Sequence, residues 1–241
     1  MSRPMKKTGF RQGIHVTSAT QKEAIGTRRI LRDGREFTYC KAGASALLVG
    51  KLAMAAASAS VVSNKACPAI AIGDTQFVFT GDSMTYAADY FKGGFFIIND
   101  ATGEGAQYEI DASTAVTAGT TLTITLVESV RVALTTSSEG SLVHNPGMAT
   151  VESATEENLP VGVSPVAVPI GHWYWAQCKG LANVLISGTV AVFDMIVPGA
   201  TAGSVKTVPD WASATDPNMP IIGQCYRAGV DTEYSLVKLI L

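Results

Sequence analysis

Ten consecutive residues limit what this chain can fold into. Gly171-His172-Trp173-Tyr174-Trp175-Ala176-Gln177-Cys178-Lys179-Gly180 holds two of the three tryptophans between two glycines. In a β-strand successive side chains alternate faces, so Trp173 and Trp175 share one face while Tyr174 and Ala176 take the other. Both faces are apolar, which places the strand inside a sandwich or barrel, or sets one face against a partner subunit. Two β-rich runs follow, Ala182 to Ile186 and Thr189 to Phe193, divided by Ser187-Gly188. That spacing predicts a meander. Trp173, Tyr174 and Trp175 therefore read as core, or as an oligomer interface.

With 241 residues the chain can bury a sizeable core in one large β domain or two smaller ones. Only 16% of residues are charged and mean hydropathy is +0.23, which excludes global disorder. No long stretch repeats apolar residues at helical spacing, so the class is all-β.

The net charge of −2 conceals an asymmetry. Residues 1–41 hold ten Lys or Arg against three acids, a net +7, and the remaining residues carry −9. A basic segment of this kind calls for an acidic partner: nucleic acid, the acidic surface of another protein, or a neighbouring copy. Cys40, Cys67, Cys178 and Cys225 are far apart, and with His15, His144 and His172 they show no zinc spacing, so buried reduced thiols are expected. Met1 to Lys7 is polar and precedes no apolar core of a signal peptide. The stretch Leu47 to Val62 is interrupted by Gly50 and Lys51 and falls short of the ~20 apolar residues that span a bilayer. A soluble protein made in a reducing cytoplasm is the expectation.

Residues 1–34 read as an extended basic arm, too poor in large apolar groups to order alone and so ordered by a partner. Fully extended, about 29 residues reach up to ~90 Å. Asp33-Gly34 is a type I′ turn signal leading into Glu36 to Lys41. Leu47 to Val49 reads as a short inner strand. From Ala69 to about Pro146 hairpins follow at even spacing, including the strictly alternating Thr121 to Leu126, with one dry and one wet face. An acidic linker-like patch, Glu152 to Pro160, precedes the aromatic strand. A loop around Trp211 and Asp216-Pro217 is expected to be exposed, and Tyr234 to Leu241 closes the chain as a strand. The expected organisation is a β-barrel or sandwich body from residues 35–65 and 151–241, with 66–150 inserted as a hairpin-rich, sandwich-like domain.

Chemical motifs are few. Gly103-Glu104-Gly105 lacks the strand-to-helix context and third glycine of a dinucleotide site, and no GK[ST] occurs. His144 and His172 have no GxSxG elbow or other nucleophile signature beside them. Glu109, Asp111 and Glu128 could pair as glycosidase carboxylates, but nothing in the sequence sets their separation. The chain reads as a non-enzyme without cofactor or metal.

Three stretches together resemble structural proteins of tailed-bacteriophage virions, most of all capsid decoration, or cement, proteins. They are Gly26 to Gly43, Gly93 to Ile110, and Trp173 to Gln177 with Lys179-Gly180. The resemblance implies an all-β protein bound in many copies to the outside of an icosahedral head. Its partners would be the major capsid protein and itself, as a homotrimer, with neither membrane nor nucleic acid involved. It would be made in the host bacterial cytoplasm and reside on the capsid exterior. On this reading Arg28, Arg29, Arg32 and Arg35 anchor the arm by bidentate pairing with carboxylates on the shell or on adjacent copies. The alternative is a carbohydrate-binding β module of a phage tail or adhesin.

Overall fold

The computed structural model describes residues 9–56, 62–155, 158–209 and 219–241. It is all-β, with two antiparallel sheets, one of them curled into a half-barrel. No helix among the described residues is long and apolar enough to cross a membrane. The loop expected around Trp211 and Asp216 lies outside the described residues.

The chain divides into two compact units, Met1–Ala56 with Pro146–Leu241, and Ala57–Asn145. The first unit opens with β1 (Arg28–Ile30), β2 (Glu36–Lys41) and β3 (Leu52–Met54). The second contains β4 (Val62–Ala66), β5 (Gln76–Thr80), β6 (Phe95–Asp100), β7 (Gln107–Ser113), β8 (Thr121–Leu126) and β9 (Glu139–Val143). The chain then returns to the first unit with β10 (Pro160–Val163), β11 (Trp173–Leu185), β12 (Met195–Pro198), β13 (Val205–Thr207), β14 (Gly223–Cys225) and β15 (Tyr234–Ile240). The divisions at 56/57 and 145/146 differ from the expected 65/66 and 150/151. Most of β4 was expected in the barrel-like domain, but the strand pairs with β9 and so belongs to the second unit.

In the second unit the six strands run in the order β4-β9-β6-β7-β8-β5. Period-two alternation explains their packing: Phe77 and Phe79 on β5, Phe96 and Ile98 on β6, Tyr108 and Ile110 on β7, and Leu122, Ile124 and Leu126 on β8 are buried. The threonines of β8 face away from that core, as the alternation predicts. Phe77, Phe79 and Phe96 meet with ring centroids 4.8 to 6.2 Å apart.

The first unit is built around β11. Its leading half pairs with β2, from Trp173 opposite Lys41 to Gln177 opposite Phe37, and its trailing half pairs with β15, from Lys179 opposite Ile240 to Leu185 opposite Tyr234. Between the halves Cys178 is a bulge residue, which bends the strand and increases its twist. The aromatic run and the Ala182 run are therefore one strand of 13 residues, not two elements. Thr189 to Phe193 forms no strand; only Val190 makes an isolated bridge, to Gly229. Leu47 likewise makes a single bridge, to Val168.

Both faces of the aromatic half are covered from within the chain. Trp173 and Trp175 lie with Phe37, Tyr39 and Met148 under Phe10, Ile14, Ile25 and Leu31. On the opposite face Tyr174 and Ala176 lie with Cys40, Leu47, Ala53 and Val168. The expectation of a partner-ordered arm is corrected here: residues 9–34 pack on the chain's own aromatic layer, because Phe10, Ile14 and Ile25 are the apolar surface that the tryptophan face needs. Only Arg32 to Gly34 form the loop between β1 and β2, closed by Leu31 N–H to Arg35 O at 2.9 Å. Gly34 has φ +83° and Asp33 does not share a positive φ, so the turn is of the three-residue, G1-bulge type rather than type I′.

A fragment of residues 57–145 keeps one whole sheet and its core, and is expected to unfold cooperatively in urea by far-UV circular dichroism. A fragment of 155–241 loses β2 and β3 from the paired edges of β11 and β10, and is expected to show no cooperative transition. Cooperative folding of 155–241 alone would contradict this division.

Candidate functional site

The segment of residues 9–35 and the aromatic face beneath it contain all four arginines singled out in the sequence. Its fixed point is Gln12, which is 4% exposed. The Gln12 amide donates to Val16 O at 2.6 Å and Trp173 O at 3.0 Å, and its Oε1 accepts from the Tyr39 hydroxyl at 2.7 Å. Gln12 O accepts from Trp175 Nε1 at 3.1 Å and from Arg29 Nη1 at 3.0 Å. Ser18 and Trp173 exchange a pair of backbone hydrogen bonds, and buried Glu23 accepts from Arg11 N at 2.6 Å. Buried polar groups are tolerated when satisfied, and here the bonds to Trp173 and Trp175 join residues more than 100 positions apart.

Aromatic geometry completes the layer. Tyr39 stacks on Trp173 at 5.6 Å and meets Trp175 at 5.0 Å, while Phe10 packs edge-on against Trp175 at 5.3 Å. Burial pushes the Tyr39 hydroxyl above its usual range, opposed by the Lys22 N–H that it accepts. Trp173, Tyr174 and Trp175 are at most 6% exposed within the single chain, so no second subunit is needed to bury them. The Tyr174 hydroxyl shares a hydrogen bond with Thr150 Oγ1 at 3.0 Å, and burial raises it well above the ordinary tyrosine value.

The four arginines are not brought together as one anchor. Arg28 donates to the Cys178 sulfur. Arg29 lies 4.8 Å from the Phe10 ring and 5.9 Å from the Trp175 ring, an intramolecular cation–π clasp. Asp33 accepts from the Arg35 backbone N–H at 3.1 Å and from Arg35 Nε at 2.7 Å, and these bonds, the backbone one first, hold the Asp33 carboxyl below the usual range. Arg32 is exposed and has no hydrogen bond or ion pair among the described residues. Arg11 and Lys22 are also exposed in this segment, each using only its backbone N–H in a bond. Sequence reasoning passed over Gln12, which has no charge or motif; the signal available was the apolar set Phe10, Ile14 and Ile25 within a basic stretch.

The same unit holds a cleft of about 460 Å³, lined by Arg35, Gln177, Leu181, Asn183, Tyr234 and Leu236 among others. Sequence reasoning did not select it, because its walls come from five separate segments.

Elsewhere the candidate groups are dispersed. Asp111 pairs with Lys92 at 3.7 Å and Glu128 with Arg131 at 2.8 Å, both exposed. His144 is buried with Nδ1 2.9 Å from Asn145 O, and the buried His172 Nδ1 has no partner. Among the described residues no three His, Cys, Asp or Glu side chains could hold a metal ion. All four cysteines are free and buried, and burial is the main cause that raises each thiol, Cys67 being pushed up to about 11. No family model, no curated protein and no solved structure matches the chain.

Two outcomes are expected. Gln12→Ala removes the acceptor of the buried Tyr39 hydroxyl and the amide donor to Val16 O and Trp173 O, and should lower stability by roughly 1–3 kcal/mol in urea titration. Because folding favours the neutral Cys67 thiol, its contribution is complete below pH 9, the unfolded value, and is lost as pH rises through about 11. The urea midpoint should therefore fall over that window, and less so in Cys67→Ala.

Proposed function

We propose that this chain is a structural virion protein that sits on the outside of an icosahedral phage head, as homotrimers, and clamps neighbouring capsid subunits against the pressure of packaged DNA. The role asks no catalysis of it and no cofactor. One observation carries the reading: the basic N-terminal segment is laid down on the first unit and leaves Arg32, Arg11 and Lys22 exposed with no side-chain partner. Exposed cations on a preordered segment suit repeated weak pairing with carboxylates on a shell, where many copies give avidity without any tight single site. The resemblance of Gly26 to Gly43, Gly93 to Ile110, and Trp173 to Gln177 with Lys179-Gly180 to decoration proteins points the same way.

Within this proposal the arginines have different duties. Arg32 is the anchor to the shell, whereas Arg29 holds the segment to its own body. Nucleic acid is a poor partner, since the −9 carried by residues 42–241 opposes a phosphate backbone.

Quantitative mass spectrometry of purified virions from the source of this protein should find about one copy per major capsid subunit. A handful of copies per particle would move it to the tail or a vertex, and absence would overturn the proposal. Arg32→Glu should reduce occupancy on the shell while leaving the urea midpoint unchanged. Arg29→Ala should lower the midpoint first.

A further inference from the structure

The cleft in the first unit is built rather than incidental. Gly50 forms one wall: its N–H donates to Ser164 O at 2.8 Å and its carbonyl accepts from Leu185 N at 3.0 Å, so it ties β11 to the turn after β10. A Cβ on Gly50 would lie 2.6 Å from Tyr234 Cε1, so the bare glycine makes the room in which the Tyr234 ring sits. Opposite, a Cβ on Gly180 would lie 3.0 Å from Arg35 Cγ, and its absence lets the Arg35 stem lie across β11. Both glycines have φ above +70°, which side-chain-bearing residues rarely adopt.

The polar groups between these walls are held and left unspent. Gln177 is 5% exposed; its Nε2 donates to Lys179 O at 3.1 Å and Leu181 O at 2.9 Å, which fixes the amide and leaves Oε1 as an acceptor with no protein partner. Asn183 is exposed and its amide makes no hydrogen bond within the described residues. Arg35 gives Nε to Asp33 and lies 5.8 Å from the Phe37 ring, with no hydrogen bond from either terminal nitrogen among the described residues. Tyr234, 40% exposed, and Leu181, 41% exposed, supply apolar surface.

From this arrangement the geometry points to a binding site for an uncharged sugar, a pyranose ring whose C–H face packs on Tyr234 and Leu181 while its hydroxyls meet Gln177 Oε1, the Asn183 amide and Arg35. Donors and acceptors around an apolar platform match a ring that carries both. Anionic ligands fit less well, because Asp33 already balances Arg35 and no other charged side chain lines the cleft. An apolar ligand would strand Gln177 and Asn183. This site is independent of the capsid reading, and either can stand without the other.

The test is saturation-transfer NMR on the full chain with the methyl glycosides of glucose, galactose, mannose and N-acetylglucosamine, and with inorganic phosphate as the anionic probe. At least one glycoside should show transfer to its ring protons. Tyr234→Ala should weaken that glycoside roughly five- to tenfold, Tyr234→Phe should nearly preserve it, and Asn183→Ala should weaken it with an unchanged urea midpoint. Silence from every glycoside would overturn the proposal. So would transfer that ignores both Tyr234→Ala and Asn183→Ala, or amide shifts at the cleft with phosphate alone. Protection of the cleft by bound capsid protein, with no response to any glycoside, would make it a protein contact and also overturn it.

Discussion

A strand with two apolar faces must be covered twice, and the first unit follows from how that is done. The half of β11 from Trp173 to Gln177 offers tryptophans to one side and Tyr174 with Ala176 to the other, all nearly inaccessible to solvent. Separate segments of the chain supply the covers: Phe10, Ile14 and Ile25 on the tryptophan side, Leu47, Ala53 and Val168 on the other. Truncating a buried tryptophan typically costs about 3–5 kcal/mol, so this strand is where the first unit can least tolerate change. Placing the cover correctly is a polar problem, and Gln12 answers it by bonding to Val16, Tyr39, Trp173, Trp175 and Arg29 at once.

The same strand changes character at Cys178. Before the bulge its side chains are enclosed on both faces; after it, Ala182 and Val184 enter a second core while Leu181 and Asn183 face outward into the cleft. One extra residue and the left-handed Gly180 thus convert a core strand into one wall of a candidate binding site. Arg35, at the far end of the β1–β2 loop, reaches the same place because Gly180 carries no side chain. Scaffold and site are therefore consequences of a single local irregularity.

Much of the fold was legible because period-two alternation survives burial. Phe77 and Phe79, Leu122 and Ile124, and the Tyr234 to Ile240 strand all follow it. The failures have physical causes. Thr189 to Phe193 has strand-like composition, yet no neighbouring strand is in register to pair with it beyond Val190. Asp33-Gly34 carries the two-residue turn signal, but the pairing of β1 with β2 closes on Leu31 and Arg35 and leaves room for three loop residues. The basic arm was misjudged as partner-ordered since its few apolar groups looked too scattered to bury. They become sufficient only against a surface whose tryptophans, Trp173 and Trp175, lie some 140 to 165 positions away.

The site was less legible than the fold. Charge clustering marked Arg28, Arg29, Arg32 and Arg35, and it could not separate an arginine clasped by Phe10 and Trp175 from one left exposed. Nothing marked Gln177, Asn183 and Tyr234, which share no motif. What the sequence by itself determined is the all-β class, the two-faced aromatic strand and the charge asymmetry, because alternation, aromatic content and charge are local properties of neighbouring residues. Which faces are covered, which arginine is spent internally and where a cleft opens were decided only by tertiary structure, since each depends on contacts between distant segments whose register no local pattern encodes.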